Sequence, residues 1–90
     1  MDEIIITVVG KDSVGIIAGV CTYLAEHNVN ITDISQTIVR GYFNMMMVVD
    51  GTGMDGTFGD LCDGLSRVGE EKGVKIRCQK EEIFTRMHRL

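Results

Sequence analysis

The residues with the clearest chemical potential lie at positions 8–17, in the run VVGKDSVGII. An apolar run ends at Val9, Gly10 and Gly15 flank a short polar loop, and apolar residues at helical spacing begin at Ile16. This pattern predicts a strand, a tight turn and a helix start. The first N–H groups of a helix lack partners within the helix and carry the positive end of its dipole. Glycine has no Cβ, so a small anion such as a carboxylate can approach this backbone closely. The alternative is a plain strand-to-helix connection.

The composition indicates one small globular domain. The chain has 90 residues, of which 44% are apolar and 24% charged. Its net charge of −4 and its scattered Lys and Arg residues argue against nucleic-acid binding. No apolar run approaches the ~20 residues that cross a bilayer, and no basic segment precedes a signal-like core, so we expect a cytoplasmic protein without membrane contact. The three cysteines, Cys21, Cys62 and Cys78, are odd in number and far apart. We therefore expect no disulfide framework, no metal and no cofactor.

Apolar periodicity predicts four strands and two helices. The strands are Glu3–Val9, Val29–Val39, Tyr42–Asp50 and Val74–Lys80, and the helices are Ile16–His27 and Thr57–Lys72. In the second strand the apolar residues change parity, which predicts a bulge or bend near Thr32-Asp33 that restores one buried face. Arg40-Gly41 is the expected turn between the second and third strands, and Gly19 within the first helix predicts a close packing contact.

The order βαββαβ predicts an α+β, ferredoxin-like sandwich in residues 1–80. We expect a four-stranded antiparallel sheet with the first and third strands in the centre and two helices on one face. Residues 4–9 and 45–49 offer apolar side chains to both faces, so something must cover the second face. Residues 81–90 have the apolar spacing of a short C-terminal helix, which is too short to be stable alone. We therefore predict a homodimer in which this amphipathic segment is a dimer contact.

The loop pattern G-x-D-x-x-G-I-I, followed by Asn-Ile at the start of the second strand, resembles the ACT domain. The resemblance covers residues 3–80. The runs DISQTI, YFNMMM and IF-x-x-M-H are similar to small stand-alone ACT proteins related to the glycine-cleavage-system transcriptional repressor. The resemblance implies a non-catalytic regulatory protein that binds an amino acid or similar small metabolite at a subunit interface. Its further partner would be a regulated enzyme or regulator.

By position, the resemblance implies a ligand site formed by Gly10, Asp12, Gly15, Ile16, Ile17 and Asn30. Gly15 and the amides of Ile16 and Ile17 would meet a carboxylate, as helix N-termini do. Asp12 and Asn30 would address an ammonium or polar side group.

Each of these residues also has a simpler interpretation. Asp12 could cap the first helix or pair with Lys11, and Asn30 could be a turn residue at the entry to a strand. The methionines at 45–47 could be adaptable core residues or line a ligand. Catalysis is not expected. Residues 10–17 lack the arginine of an acylphosphatase, and Ile16-Ile17 replace the Lys-Ser/Thr of a phosphate-binding loop. The alternative function is a dimeric interaction module that regulates a partner protein without binding a metabolite.

Overall fold

The computed structural model describes residues 3–11 and 15–80. Strands and helices follow the predicted βαββαβ order, which confirms the α+β ferredoxin-like fold. Their bounds are β1 Glu3–Lys11, α1 Ile16–Glu26, β2 Asn30–Val39, β3 Tyr42–Asp50, α2 Phe58–Lys72 and β4 Val74–Lys80. The predicted C-terminal helix and its assignment as a dimer contact lie outside the described residues.

The four strands form one sheet in the order β2-β3-β1-β4, and every neighbouring pair is antiparallel. The central positions of β1 and β3 are therefore as predicted. Since β1 and β2 are both antiparallel to β3, they run in the same direction. The loop after β1 and the start of β2 thus lie at opposite ends of the sheet.

The hydrophobic core lies between one face of the sheet and the two helices. Met45 and Met47 of β3 are 2% and 0% exposed and belong to this core, whereas Met46 is 40% exposed on the opposite face. Two of the three consecutive methionines are therefore core residues. The largest fully buried side chains come from four of the six elements, β1, α1, β3 and α2: Phe43, Ile6, Ile16, Leu24, Met47, Leu65, Val8, Val20 and Val49.

Both ends of α2 are capped. The Asp60 amide donates to Thr57 Oγ1 at 3.1 Å, and the Thr57 amide donates to Asp60 Oδ2 at 3.0 Å, which completes a capping box. At the other end, Gly73 has a φ of 72° and ends the helix in the left-handed conformation.

The predicted irregularity in β2 is confirmed. The register with β3 shifts between Ile31 and Asp33, and the Thr32 hydroxyl donates to the Val48 carbonyl oxygen at 3.0 Å. Beyond the bulge, Ile34 and Ile38 pair with core residues of β3 and therefore point to the helix side of the sheet. They are nevertheless 44% and 56% exposed. The expectation of one buried face along β2 is wrong, because among the described residues the helices leave this edge uncovered.

The second face of the sheet carries an apolar strip along its two central strands. Ile5 is 5% exposed, whereas Val9, Met46 and Tyr42 are 40–55% exposed. The neighbouring β4 presents Lys75, Arg77 and Gln79 to this face. Neither helix within the described ranges is long and apolar enough to span a bilayer.

Candidate functional site

The N-terminus of α1 is the centre of the candidate site. Gly15 is its N-cap residue and has a φ of 88°, a conformation that L side chains rarely adopt. Its carbonyl oxygen accepts the first helical hydrogen bond, from the Gly19 amide at 2.8 Å. No side chain caps α1 among the described residues. The amides of the first turn, which include Ile16 and Ile17, therefore have the geometry of an anion-binding helix start.

The two isoleucines at the start of α1 differ in burial. Ile16 is 2% exposed and packs in the core, whereas Ile17 is 37% exposed. One side chain fixes the position of the first turn while the other lies at the surface. The predicted residues Gly15, Ile16 and Ile17 are therefore adjacent in one accessible turn.

Lys72 is a residue of this region that the sequence did not indicate. A Cβ placed on Gly15 would lie 3.4 Å from Lys72 Nζ, and a Cβ placed on Gly19 would lie 3.0 Å from Lys72 Cε. The Lys72 side chain thus runs along the start of α1, and Gly19 makes the close contact predicted for it. Lys72 also belongs to the last turn of α2, where the helix dipole favours a cation. An ammonium and a helix N-terminus therefore converge on Gly15.

Gly10 lies inside β1 and not in the loop, because β1 continues two residues past its predicted end. It pairs with Phe43 of β3 and Val74 of β4. A Cβ at this position would lie 2.8 Å from Val74 Cγ1. Close packing against β4 therefore accounts for the glycine here, and the described contacts assign it no role toward a ligand. Its predicted ligand contact stays a prediction.

Asn30 lies far from Gly15 within one chain. It pairs with Asp50 at the start of β2, and Asp50 pairs with Glu3 at the start of β1. Seven residues of extended strand separate Glu3 from Gly10, a distance of about 24 Å. The structure therefore does not bring Asn30 and Gly15 together in a single copy. Asp12 lies outside the described residues, and its role stays a prediction.

A separate open cavity of about 400 Å³ lies at the opposite end of α1. The centre of the His27 ring, at the C-terminus of α1, lies 4.3 Å from that of the Tyr23 ring, and the two rings are tilted by 37°. Burial raises the pKa of Tyr23, although Arg67 opposes this shift, so its hydroxyl is neutral at physiological pH. Tyr23, the residue of α1 nearest to Gly15 that lines this cavity, follows Gly15 by eight residues, about 12 Å along the helix. The cavity is lined by Tyr23, His27, Asp55, Gly56, Asp60, Leu61, Asp63 and Arg67.

The described residues offer no obvious metal centre. Within positions 3–11 and 15–80, no three His, Cys, Asp or Glu side chains are grouped so that they could hold a metal ion. Among the described residues, the groups near Gly15 include the backbone amides of the first turn of α1 and the Lys72 ammonium, which together suit a carboxylate.

Comparison with known proteins identifies the family. The family model described as the ACT domain matches residues 2–79. A UPF0237 protein of Bifidobacterium longum is 62% identical over 90 residues, which cover all of both chains. The solved structure of an ACT domain protein from Streptococcus pneumoniae is 44% identical, with a TM-score of 0.81 over 92% of this chain and 93% of that one. A protein provisionally named glycine cleavage system transcriptional repressor shares the fold at 19% identity, with a TM-score of 0.74 over 88% of this chain and 45% of that one. The chain therefore belongs to the ACT domain family and is similar along its whole length to small stand-alone members of it.

Proposed function

We propose that this protein is a non-catalytic regulator that binds an amino acid or similar small metabolite at the interface of a homodimer. The observation that carries the proposal is the convergence of the Lys72 ammonium and the α1 N-terminus on Gly15. The ACT domain is a regulatory fold, and this chain has it along residues 2–79. The partner that receives the signal would be an enzyme or another regulator.

The carboxylate end of the metabolite would bind at the start of α1. Backbone N–H groups there donate to an anion without a competing side-chain cap among the described residues. The Lys72 ammonium adds a charge-assisted hydrogen bond, which is about twice as strong as a neutral one. The cationic end would be held by Asp12 and Asn30, as the resemblance to the ACT domain implies.

A second copy of the chain is needed to bring Asn30 to this end of the sheet. Two copies joined antiparallel along β2 by a two-fold axis would place Asn30 of the second copy beside Val39 of the first. Val39 pairs with Tyr42, which pairs with Lys11 at the end of β1. Asn30 of the second copy would then lie at the same end of the sheet as the β1–α1 loop.

The outer edge of β2 has features that suit an interface between two copies. It is one of the two outer strands of the sheet, and its sequence NITDISQTIV contains no Lys or Pro, the residues that commonly protect an edge from pairing. Ile34, Ile38 and Val39 are 44–56% exposed along it. Burying these side chains against a second copy would remove apolar surface from water. Residues 81–90 stay a predicted further dimer contact.

Catalysis is not part of the proposal. Burial raises the pKa of the Cys62 thiol and that of the Cys78 thiol, so neither has the lowered pKa typical of a catalytic cysteine. The expected cytoplasmic location and the absence of nucleic-acid partners rest on the composition of the chain.

A thermal-shift screen against the twenty amino acids tests the binding proposal. At a concentration about 100 times its Kd, a ligand adds about 2.7 kcal/mol to the free energy of unfolding. For a domain of this size, we expect this to raise Tm by more than about 10 °C. The matched control is Gly15→Val, which we expect to abolish the shift while leaving a cooperative transition. No shift with any amino acid would favour the alternative, an interaction module that binds no amino acid.

A further inference from the structure

Two of the three cysteines lie on elements that pack directly against each other. Near one end of the contact, a Cβ on Gly69 of α2 would lie 2.7 Å from the Val74 carbonyl oxygen and 3.2 Å from Ile76 Cγ1. Near the other end, Lys80 Nζ lies 5.5 Å from the centre of the Phe58 ring. These contacts fix α2 and β4 antiparallel to each other, with the α2 backbone close to the strand at Gly69.

The register places Cys62 opposite Cys78. Cys62 follows Phe58 by four residues and precedes Gly69 by seven, so all three lie on the same face of α2. Cys78 follows Ile76 by two residues and therefore points to the same helix-facing side of β4. The Cys62 and Cys78 thiols lie close enough to influence each other's pKa, and both side chains are half-buried.

We propose that Cys62 and Cys78 form a reversible intrachain disulfide, a redox-modified site that links α2 to β4. The disulfide would close a loop that contains the α2–β4 turn and leave Cys21 as a free thiol. This inference is independent of the proposed metabolite site, since it depends only on the packing of α2 on β4.

The oxidant that the reaction needs is a low-molecular-weight disulfide such as oxidised glutathione. The Cys62 thiolate attacks one sulfur of that disulfide, its S–S bond breaks, and one glutathione leaves and takes up the proton lost by Cys62. The Cys78 thiolate then attacks the Cys62 sulfur of the mixed disulfide and displaces the second glutathione. The two protein thiols lose two electrons in total, and the glutathione disulfide gains them as two thiols.

The order of these steps follows from the environments of the two thiols. Burial raises the pKa of both thiols and does so most for Cys78, whose pKa the neighbouring Cys62 raises further. Cys62 therefore ionises more readily and acts first. Because only the thiolate reacts, we expect the rate of oxidation to rise about tenfold per pH unit between pH 6 and 8.

The test is oxidation of the folded protein by glutathione disulfide, followed by acid quenching, alkylation and peptide mapping. We expect the number of free thiols per chain to fall from three to one, with a Cys62–Cys78 cross-linked peptide and alkylation of Cys21 only. The same reaction in guanidinium chloride controls for chance pairing, and there we expect a mixture of linkages.

Variants of each cysteine test which two thiols form the disulfide. Cys21→Ala should still lose two thiols on oxidation, whereas Cys62→Ala and Cys78→Ala should form no intrachain disulfide. The wild-type peptide map remains decisive even if one of these variants fails to fold. A native protein that stops at glutathione adducts, links chains through Cys21 or keeps three free thiols would overturn the proposal.

Discussion

Replacing Lys72 by Gln is expected to weaken binding of the proposed amino-acid ligand by at least tenfold. The substitution keeps most of the side chain that packs along Gly19 but removes the ammonium beside Gly15. A hydrogen bond to a charged group contributes about 1.5–3 kcal/mol, which corresponds to about 10- to 150-fold in Kd. Isothermal titration calorimetry with the amino acid found in the thermal-shift screen measures the loss.

Lys75→Gln is the matched control for Lys72→Gln. Lys75 carries the same charge but lies on β4 and points to the second face of the sheet, away from α1. Its replacement changes the net charge equally, so we expect Kd to stay within about twofold, because exposed charges this far apart are screened. Equal losses in both variants would mean that overall charge, and not a contact at Gly15, governs affinity.

Introducing a charge on the β2 edge is expected to convert the proposed dimer to a monomer. Ile34 lies near the middle of β2, so Ile34→Lys would place two ammonium groups close to the two-fold axis of the proposed dimer. Like charges at an interface cost several kcal/mol, and the substitution also removes apolar surface that is 44% exposed in one copy. Sedimentation velocity at micromolar concentration should show a dimer for the wild type and a monomer for the variant.

Ser66→Lys is the control for Ile34→Lys, since Ser66 is exposed on α2, away from the β2 edge. This variant should remain dimeric and bind ligand normally. Because the proposed site takes Asn30 from a second copy, we expect Ile34→Lys to lose ligand binding together with dimerisation. A monomeric variant that binds with unchanged affinity would mean that one chain contains the whole site.

Local sequence rules predicted most of the fold. The turn at Arg40-Gly41 and the ends of α2 depend on residues close in sequence, and both are present, with φ values of 53° and 79° in the turn. The change of parity in β2 was likewise enough to locate the bulge. Burial along β2 was not predictable in the same way, because it depends on how far the helices extend across the sheet.

The sequence predicted less of the candidate site than of the fold. Lys72 follows Glu70 and Glu71 in a charged run, which is typical of a solvated helix face, and its approach to Gly15 depends on how α1 packs against α2. In the sequence, only Gly19 pointed to this contact. A close packing contact was predicted at Gly19, but Lys72 was not predicted as the residue that makes it. In the same way, the packing role of Gly10 depends on its register with Val74, which the sequence does not contain.

The proximity of Cys62 to Cys78 could also not be predicted from the sequence. Sixteen residues separate the two cysteines, and their spacing matches no motif for a disulfide framework or a metal site. Their proximity arises because Gly69 allows α2 to lie against β4. The number and spacing of the cysteines therefore argue against a disulfide framework, but they do not show which thiols can react with each other.

The most direct test of the central claim, a metabolite site shared between two chains, is a mixing experiment. Lys72→Gln damages the helix-end half of the site and Asn30→Ala damages the other half, so each variant alone should bind poorly. After unfolding and refolding together in equal amounts, half of the dimers would contain one chain of each kind, and each such dimer would have one intact site. Calorimetry should then recover wild-type affinity at about one site per four chains. If the mixture binds no better than the separate variants, the site is not shared between chains and the account is wrong.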